Sequence, residues 1–259
     1  MRTIGVIPAR MGSSRFPGKP LATIHGVPML GHVYFRSRMN PLLDAVYIAT
    51  CDAEICRYAA EIGADCILTS PEHERASDRT AQAVSVIEAR SSSPVAVVVM
   101  IQGDEPMLHP AMLDEALAPL RHEPDVQVVN LMAPLDAECA ADPNEIKVVV
   151  DRRGDALYFS RRPLPWRTDA TLEAMKQVCV IPFRRRFLAQ FAALEPTPLE
   201  RAESIDMLRA LEHGYRLRMV RTAHVTFSVD TPDDLARVAG LMRDDPLTPR
   251  YEEVRSWHA

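Results

Sequence analysis

The sequence has few cysteines, and those it has lack the spacing of a metal site. Among its 259 residues are five cysteines, at positions 51, 56, 66, 139 and 179, and they form no CxxC pair. An odd number of cysteines without paired spacing predicts neither a disulfide framework nor a structural zinc site. We therefore expect the protein to reside in a reducing compartment.

The sequence also lacks a surplus of positive charge and any long hydrophobic run. Its 30 basic and 35 acidic residues give a net charge of −5, which argues against nucleic acid or an anionic membrane as a partner. The longest aliphatic run, 95–101, is far shorter than the roughly 20 residues of a membrane span, and no signal peptide precedes the first predicted strand. We expect a cytoplasmic protein that binds anions at a local site.

What the sequence does have is a regular alternation of apolar runs and amphipathic segments. Strands are predicted at 4–8, 45–49, 66–69, 95–101, 126–132, 146–150, 156–159, 178–182 and 216–221. Helices are predicted at 29–38, 53–62, 77–89, 110–120, 184–193, 201–213 and 232–244. This alternation predicts an α/β fold with a doubly wound mixed sheet and a Rossmann-like N-terminal half. We expect one domain at 1–244 with an inserted mixed-sheet portion, and an unassigned tail at 245–259.

A cationic loop with two glycines follows the first predicted strand. Residues 7–21 read IPARMGSSRFPGKPL and carry the cations Arg10, Arg15 and Lys19. A loop at this place lies at the carboxyl edge of a doubly wound sheet, where ligands bind. Free backbone N–H groups and three cations suit a triphosphate, although the spacing matches neither the P-loop nor the dinucleotide fingerprint. The alternative interpretation is a solvated basic turn.

Two acidic residues are predicted to end strands at the same edge. Asp104 lies in QGDEP (102–106), directly after the most apolar strand, and Asp230 lies between a predicted strand and a helix. Mg²⁺ prefers one or two carboxylates together with phosphate oxygens, so both residues are candidate metal ligands. The alternative for Asp230 is a helix N-cap, the commoner role of Asp at such a boundary.

Ordered motifs along most of the chain resemble those of a known enzyme family. Besides the loop at 7–21 and QGDEP, they are DPNEIKVV (142–149), ALYFSRRPLPW (156–166) and VDTPDDL (229–235). Together they look like the 3-deoxy-manno-octulosonate (KDO) cytidylyltransferases, or CMP-KDO synthetases, over residues 4–238. The resemblance implies a single-domain nucleotidyltransferase fold, CTP as donor, Mg²⁺, release of pyrophosphate and a homodimer.

The resemblance also implies roles for individual residues. The implied catalytic residues are Arg10, Lys19 and Asp104, and the implied metal ligands are Asp104 and Asp230. The implied CTP-binding residues are Arg10, Arg15, Lys19, Ser77, Arg79, Gln102 and Gly103. The predicted acceptor-binding residues are Arg161, which the resemblance implies, together with Arg75, Gln177 and Asp206. An acceptor oxygen would attack the α-phosphorus of CTP, while the cations offset charge on the departing pyrophosphate.

The sequence departs from the family pattern at the predicted acceptor site. Where the family reads H-L-G-[IV]-Y-x-Y, residues 177–183 read QVCVIPF, and Met207 replaces a glutamine. Groups that could bind a sugar hydroxyl are lost, at an expected cost of about 1 to 3 kcal/mol each. Arg75 adds a cation before the third predicted helix, and the loop 161–167 carries three arginines. The predicted pocket is therefore more basic and less suited to a polyhydroxylated sugar.

Three functions are compatible with these observations. The favoured one is transfer of CMP to a small acidic acceptor, such as the phosphonate phosphonoformate in a natural-product (antibiotic) pathway. The first alternative is an authentic CMP-KDO synthetase, and the second is a noncatalytic nucleotide-binding relative. The retention of Arg10, Lys19, Asp104 and Asp230 argues against the noncatalytic alternative.

Overall fold

The structure, a computed structural model, describes residues 2–13, 15–136, 139–165 and 173–255, with residues 252–255 described by their backbone. Its strands are β1 (Thr3–Pro8), β2 (Thr23–Ile24), β3 (Val27–Pro28), β4 (Ala45–Thr50), β5 (Asp65–Leu68), β6 (Val97–Ile101), β7 (Val129–Pro134), β8 (Lys147–Val150), β9 (Ala156–Ser160), β10 (Met175–Val178), β11 (Val180–Arg184) and β12 (Arg218–Arg221). Its helices are α1 (Met29–Arg38), α2 (Ala53–Glu61), α3 (Ala76–Ala89), α4 (Pro110–His122), α5 (Arg185–Ala192), α6 (Pro198–Glu203), α7 (Met207–Glu212), α8 (Pro232–Leu241) and α9 (Thr248–Arg255).

These elements form two compact units. The first comprises Met1–Leu113 and Val225–Ala259, and the second comprises Asp114–His224. The second unit is thus inserted in the sequence of the first. The domain boundaries at 1–244 and 245–259 stay a prediction.

The first unit is built on a parallel sheet. Its strands lie in the order β6-β1-β4-β5, and each neighbouring pair is parallel. Every residue of β1 and β6 is buried, as expected of parallel strands that are covered on both faces. Helices α1, α2 and α3 lie between successive strands in the sequence. The predicted α/β fold with a Rossmann-like N-terminal half is confirmed.

The order of these strands places a ligand-binding position beside the end of β1. From β1 the sheet extends to β4 and β5 on one side, and the later strand β6 lies on the other side of β1. Such a reversal is a topological switch point, where ligands bind outside the carboxyl ends of the strands. The cationic loop follows β1 and Asp104 follows β6, so both flank this point.

The second unit contains a mixed sheet and an aromatic cluster. Its strand order is β12-β7-β10-β8-β9, with β12 parallel to β7 and the other pairs antiparallel. Strands β8 and β9 are joined by the predicted turn, in which Gly154 has a φ of 83°. Phe187 of α5 and Phe191 pack on Phe183 of β11, with ring centroids 6.5 and 5.9 Å away. The mixed sheet predicted for this part of the chain is confirmed.

Three local predictions were wrong. The predicted helix at 201–213 is two helices, α6 and α7, because Ser204 ends α6 in a left-handed conformation with a φ of 56°. The predicted strand at 178–182 is divided between β10 and β11 at Cys179, which belongs to neither. The described chain just before Asp230 forms no strand, so the prediction that Asp230 ends one was wrong. In addition, the hairpin of β2 and β3 was not predicted, although positive φ values at His25 and Gly26, 49° and 78°, suit its two-residue turn.

The cysteine prediction was wrong for one pair. Cys56 of α2 and Cys66 of β5 form a disulfide, with their Cα atoms 5.5 Å apart. Their spacing in the sequence gives no signal for this bond, which depends on the packing of α2 beside β5. The reducing compartment stays a prediction. In the described part of the chain, none of the helices is long and apolar enough to cross a membrane.

The C-terminal segment packs on α1. Tyr251 of α9 is 2% exposed and stacks on Phe35, with ring centroids 5.4 Å apart. Arg36 Nη2 donates to Asp245 Oδ2 at 2.6 Å, which fixes the chain just before α9. Residues 256–259 of the predicted tail lie outside the described residues.

Candidate active site

Two carboxylates from distant parts of the chain bind the ammonium group of Lys19. Lys19 Nζ lies 2.9 Å from Asp104 Oδ2 and 3.1 Å from Asp230 Oδ1, and only 13% of its side chain is exposed. The two acidic segments are joined directly, because Val229 N donates to the carbonyl oxygen of Asp104 at 2.9 Å. The structure thus brings together three residues that the sequence predicts as catalytic or metal-binding.

The two carboxylates keep Lys19 charged. Burial by itself would lower the pKa of Lys19, but Coulombic attraction and hydrogen bonds from Asp104 and Asp230 outweigh it and raise the pKa above its usual value. Lys19 therefore carries a full positive charge throughout the physiological pH range.

Asp230 is not the N-cap of the following helix. The cap of α8 is Thr231, whose hydroxyl accepts from the backbone N–H of Asp234, while the carboxylate of Asp234 accepts in return from Thr231 N. Asp230 instead accepts hydrogen bonds from Lys19 and, at 3.0 Å, from Arg15. Because Thr231 caps the helix, the carboxylate of Asp230 is available to the site.

The cationic loop is closed by a backbone contact and anchored by an aromatic residue. Gly18 N donates to the carbonyl oxygen of Met11 at 3.1 Å, and Gly18 has a φ of 77°, which favours glycine at this position. Phe16 packs against the buried cluster that includes Val229. Arg10 is exposed at the start of the loop. These contacts fix the described ends of the loop, which carry Arg10 and Lys19.

One carboxylate oxygen of this cluster is positioned for a ligand. Asp104 Oδ1 is buried and has no hydrogen-bond partner among the described residues. Such an atom is costly unless a ligand or water binds it. Two carboxylates are the protein ligands that Mg²⁺ uses beside phosphate oxygens, so Asp104 and Asp230 fit this ion. Within the described ranges there is no group of three or more His, Cys, Asp or Glu that could hold a metal.

Ser77 and Arg79, in the first turn of α3, have different environments. Ser77 Oγ is buried and lacks a hydrogen-bond partner in the described part of the protein, and its contact with CTP stays a prediction. Arg79 is 3% exposed, and its Nη atoms donate to Thr69 Oγ1 and to the carbonyl oxygens of Ser70 and His73. Arg79 therefore supports the loop before α3, and its direct contact with CTP stays a prediction.

The other predicted site residues of the first unit lie next to α3 or β6 in the sequence. Arg75 is half-buried and immediately precedes α3, and Gln102 and Gly103 are half-buried after β6. A Cβ atom at Gly103 would lie 3.3 Å from Leu30 Cδ1 and 3.4 Å from Ile7 Cγ2. Glycine therefore lets the chain after β6 pass close to α1 and β1.

In the second unit, Arg161 is held by both its backbone and its side chain. Its Nε donates to the carbonyl oxygen of Glu203 and its Nη1 to that of Pro143, each at 2.7 Å. Its backbone N donates to Glu203 Oε2 at 2.9 Å. The neighbouring Arg162 is exposed, and Arg167, the third cation predicted in this loop, lies outside the described residues.

Lys147 was not predicted as a functional residue. It is fully buried, and its ammonium donates to the carbonyl oxygens of Arg161 at 2.8 Å, Asp142 at 2.7 Å and Glu145 at 2.6 Å. Burial lowers its pKa below the usual value. One signal was present in the sequence, because Lys147 is one of only three lysines among the 30 basic residues.

Glu203, which the sequence did not single out, also positions Arg161. Its carboxylate accepts from Arg161 N, from Ser160 Oγ at 2.9 Å and from the hydroxyl of Tyr158 at 3.3 Å. Burial alone would raise the pKa of Glu203, but these donors outweigh it and lower the pKa. Because Glu203 and Arg161 are far apart in sequence, no local pattern indicates this pair.

The positions that depart from the family pattern are buried in the second unit. Gln177 Nε2 donates to Asn130 Oδ1 at 2.6 Å. Ile181 and Met207 are 1% and 0% exposed. Asp206 immediately precedes α7 and is half-buried. Gln177 therefore has a polar partner inside the unit, and the two apolar residues belong to its core.

Known proteins match this chain over nearly its full length. The sequence profile of the cytidylyltransferase family matches residues 4–220. A 3-deoxy-manno-octulosonate cytidylyltransferase of Solibacter usitatus is 42% identical over 245 residues, which cover 93% of this chain and 95% of that protein. The enzyme of the same name from Geobacter sulfurreducens is 43% identical over 251 residues, covering 92% and 98%.

Solved structures agree with these relatives. A CMP:2-keto-3-deoxy-manno-octonic acid synthetase in complex with CTP superposes with a TM-score of 0.84 at 36% identity, covering 93% of this chain and 98% of that one. A cytidylyltransferase from Leptospira borgpetersenii, at a TM-score of 0.62 and 15% identity, shares the fold. The noncatalytic alternative is therefore wrong, and the chain is a nucleotidyltransferase that belongs to the CMP-KDO synthetase family of cytidylyltransferases.

Proposed function

We propose that this enzyme transfers CMP from CTP to 3-deoxy-manno-octulosonate, with release of pyrophosphate. The acceptor proposal is supported by the relatives named for this sugar acid, which are 42% and 43% identical along more than nine tenths of the chain. The observation that carries the reaction is Lys19 between Asp104 and Asp230 at the carboxyl end of the parallel sheet. The relatives described above thus favour KDO over the phosphonate that the sequence favoured.

The cationic loop would bind the triphosphate of CTP. Lys19 and Arg15 already face carboxylates at the site, and Arg10 is exposed at the start of the loop. The buried hydroxyl of Ser77 would donate to the nucleotide. The acceptor oxygen forms a bond to the α-phosphorus as the bond to the pyrophosphate oxygen breaks, and fixed cations stabilise the charge that develops on the leaving group.

Asp104 and Asp230 would hold Mg²⁺ together with phosphate oxygens of the nucleotide. When bound, the ion offsets the negative charge of the triphosphate and of the departing pyrophosphate. The protein's own contribution is to place the two carboxylates, since the contact between Val229 N and the carbonyl oxygen of Asp104 fixes their segments.

Arg161 would bind the carboxylate of the acceptor. The contacts from Lys147 and Glu203 fix its backbone, and Pro143 accepts from its Nη1, so the guanidinium is held in place before a substrate binds. Holding a charged group in advance reduces the entropy lost on binding. Arg75, Gln177 and Asp206 are further acceptor-site residues in this proposal.

A smaller acidic acceptor, such as a phosphonate, is the second candidate. It is favoured by Gln177, Ile181 and Met207, which stand where the family pattern has other polar groups and so offer a sugar hydroxyl fewer of the expected partners. A phosphonate oxygen is already anionic near neutral pH and needs no general base, but it does need cations.

A substrate panel distinguishes the two candidates. The purified protein is incubated with CTP, Mg²⁺ and either KDO or phosphonoformate, and pyrophosphate release is followed together with the CMP product. We expect turnover with KDO and with CTP in preference to UTP or ATP. Turnover with phosphonoformate and none with KDO would replace the first candidate by the second.

A further inference from the structure

The cationic loop is held by a residue that none of the roles above includes. Met11 N donates to Asp52 Oδ2 at 2.7 Å, and the carbonyl oxygen of Met11 accepts from Gly18 N at 3.1 Å. Lys19 directly follows Gly18. The contact with Asp52 therefore fixes one side of the loop closure from which Lys19 extends.

This contact continues the hydrogen bonding of the parallel sheet by one step. In a parallel pair, alternate residues of a strand donate to the same neighbouring strand. Ala9 N donates to the carbonyl oxygen of Ala49 at 2.9 Å, so Met11 N, two residues further on, faces the same side. The chain after β4 turns there into α2, and the carboxylate of Asp52 takes the place of the next carbonyl oxygen.

Asp52 makes this contact in place of the usual one for its position. It is the N-cap residue of α2, yet its side chain makes no cap hydrogen bond to that helix. Its backbone N donates to the hydroxyl of the buried Thr50 at 3.1 Å, which fixes its orientation. A carboxylate at a helix N-terminus normally stabilises that helix. Here it stabilises the loop after β1 instead.

We infer that Asp52 is a positioning residue for CTP. It acts through the backbone of Met11 and fixes the positions of Lys19 and Arg10 relative to the phosphates. The inference rests on the proposed function, in which this loop binds the triphosphate.

Asp44 provides a matched control. Its Oδ2 accepts from the backbone N of Thr3 at 2.6 Å, so it makes the same kind of contact at the opposite end of β1. Loss of the Asp44 contact weakens the start of β1, and loss of the Asp52 contact weakens the segment that follows β1. Only the Asp52 contact lies in the loop that is proposed to bind CTP.

The experiment compares Asp52→Ala, Asp52→Asn and Asp44→Ala with the wild-type enzyme. We expect Asp52→Ala to raise KM and Kd for CTP about tenfold, as for loss of one well-placed hydrogen bond, with a smaller change in the acceptor KM. Asp52→Asn keeps an acceptor oxygen and should stay within about twofold of wild type. Asp44→Ala should lower the thermal midpoint while leaving both CTP constants unchanged.

Steady-state kinetics give KM, and calorimetric titration with CTP alone gives Kd. Equal CTP constants in Asp52→Ala and Asp44→Ala would overturn the inference, as would Asp52→Asn being as impaired as Asp52→Ala. A wild-type enzyme that binds CTP but releases no pyrophosphate with any acceptor would overturn the proposed function, and the Kd comparison would still decide the role of Asp52.

Discussion

At the scale of single residues, we expect Lys19 to have two functions, one in activity and one in folding stability, and a substitution tests both. Lys19→Ala removes a phosphate-binding cation and should lower kcat/KM about 100-fold or more. It also removes the ion pair of Asp104 and leaves Asp230 with Arg15 as its cation, which should cost about 1 to 3 kcal/mol of folding stability in the absence of Mg²⁺. Added Mg²⁺ should restore part of this stability. Pyrophosphate assays and thermal unfolding with and without Mg²⁺ measure both effects.

The control for Lys19 is Arg152→Ala, which removes an exposed cation from the turn between β8 and β9. It should change neither activity nor the response to Mg²⁺. A soluble Lys19→Ala enzyme with near wild-type activity would refute the assignment of Lys19 to the triphosphate.

Asp230 and Thr231 are neighbours with different expected roles. Asp230→Asn should raise the Mg²⁺ concentration needed for half-maximal activity and lower kcat strongly, through loss of a charged oxygen ligand. Thr231→Ala removes the cap of α8 and should cost about 0.5 to 2 kcal/mol of stability while the Mg²⁺ requirement stays unchanged. Mg²⁺ titrations and urea unfolding of both variants test this, and a shared Mg²⁺ phenotype would argue against the division of roles.

At the scale of secondary-structure elements, α9 is fixed to α1 by a buried polar network. His32 is fully buried, its Nε2 donates to the carbonyl oxygen of Ile24 at 2.9 Å, and its Nδ1 accepts from the hydroxyl of Tyr251 at 2.6 Å. His32 is neutral in this arrangement, and a proton on Nδ1 would turn that acceptor into a donor, so that Tyr251 would have to donate to Thr248 Oγ1 instead. The contact between the two helices is therefore sensitive to pH.

Acidification should weaken this contact. Burial is the main cause that lowers the pKa of His32 from 6.5 to about 4, so the unfolded chain binds a proton that the folded chain does not. The free energy of unfolding should therefore be unaffected above pH 6.5 and fall between pH 6.5 and 4, by on the order of 3 kcal/mol. Urea unfolding at several pH values measures this loss. His32→Gln, which does not titrate, should lack it; an equal pH dependence in that variant would assign the effect to other groups.

At the scale of the whole molecule, the dimer implied by the family resemblance can be tested directly. We expect light scattering after gel filtration to give twice the 28.9 kDa mass of one chain, at concentrations where the enzyme is active. The net charge of one chain is only −5, so long-range electrostatic interactions between two chains are weak. Screening of these interactions by moderate salt should therefore not dissociate the dimer. A mass of one chain under these conditions would contradict the expectation.

Much of the molecule follows from the sequence alone. The sequence determined the α/β class, most element positions, the cationic loop, and Asp104 as a strand-end carboxylate, whereas Asp230 ends no strand in the structure. These features depend on hydrophobic periodicity and turn-forming residues, which act over a few positions along the chain. Helix α1 has the predicted bounds, because its apolar pattern and the proline before it are local signals.

Only the tertiary structure decided what each polar side chain contacts. Lys19 meets carboxylates that are 85 and 211 positions away in sequence, and Asp52 meets a backbone N–H that is 41 positions away. Which atoms meet across such distances depends on strand order and packing, and local propensity carries no information about either. For the same reason the sequence left Asp230 undecided between a cap and a ligand: the hydroxyl of Thr231 caps α8, and the carboxylate of Asp230 is left to the active site.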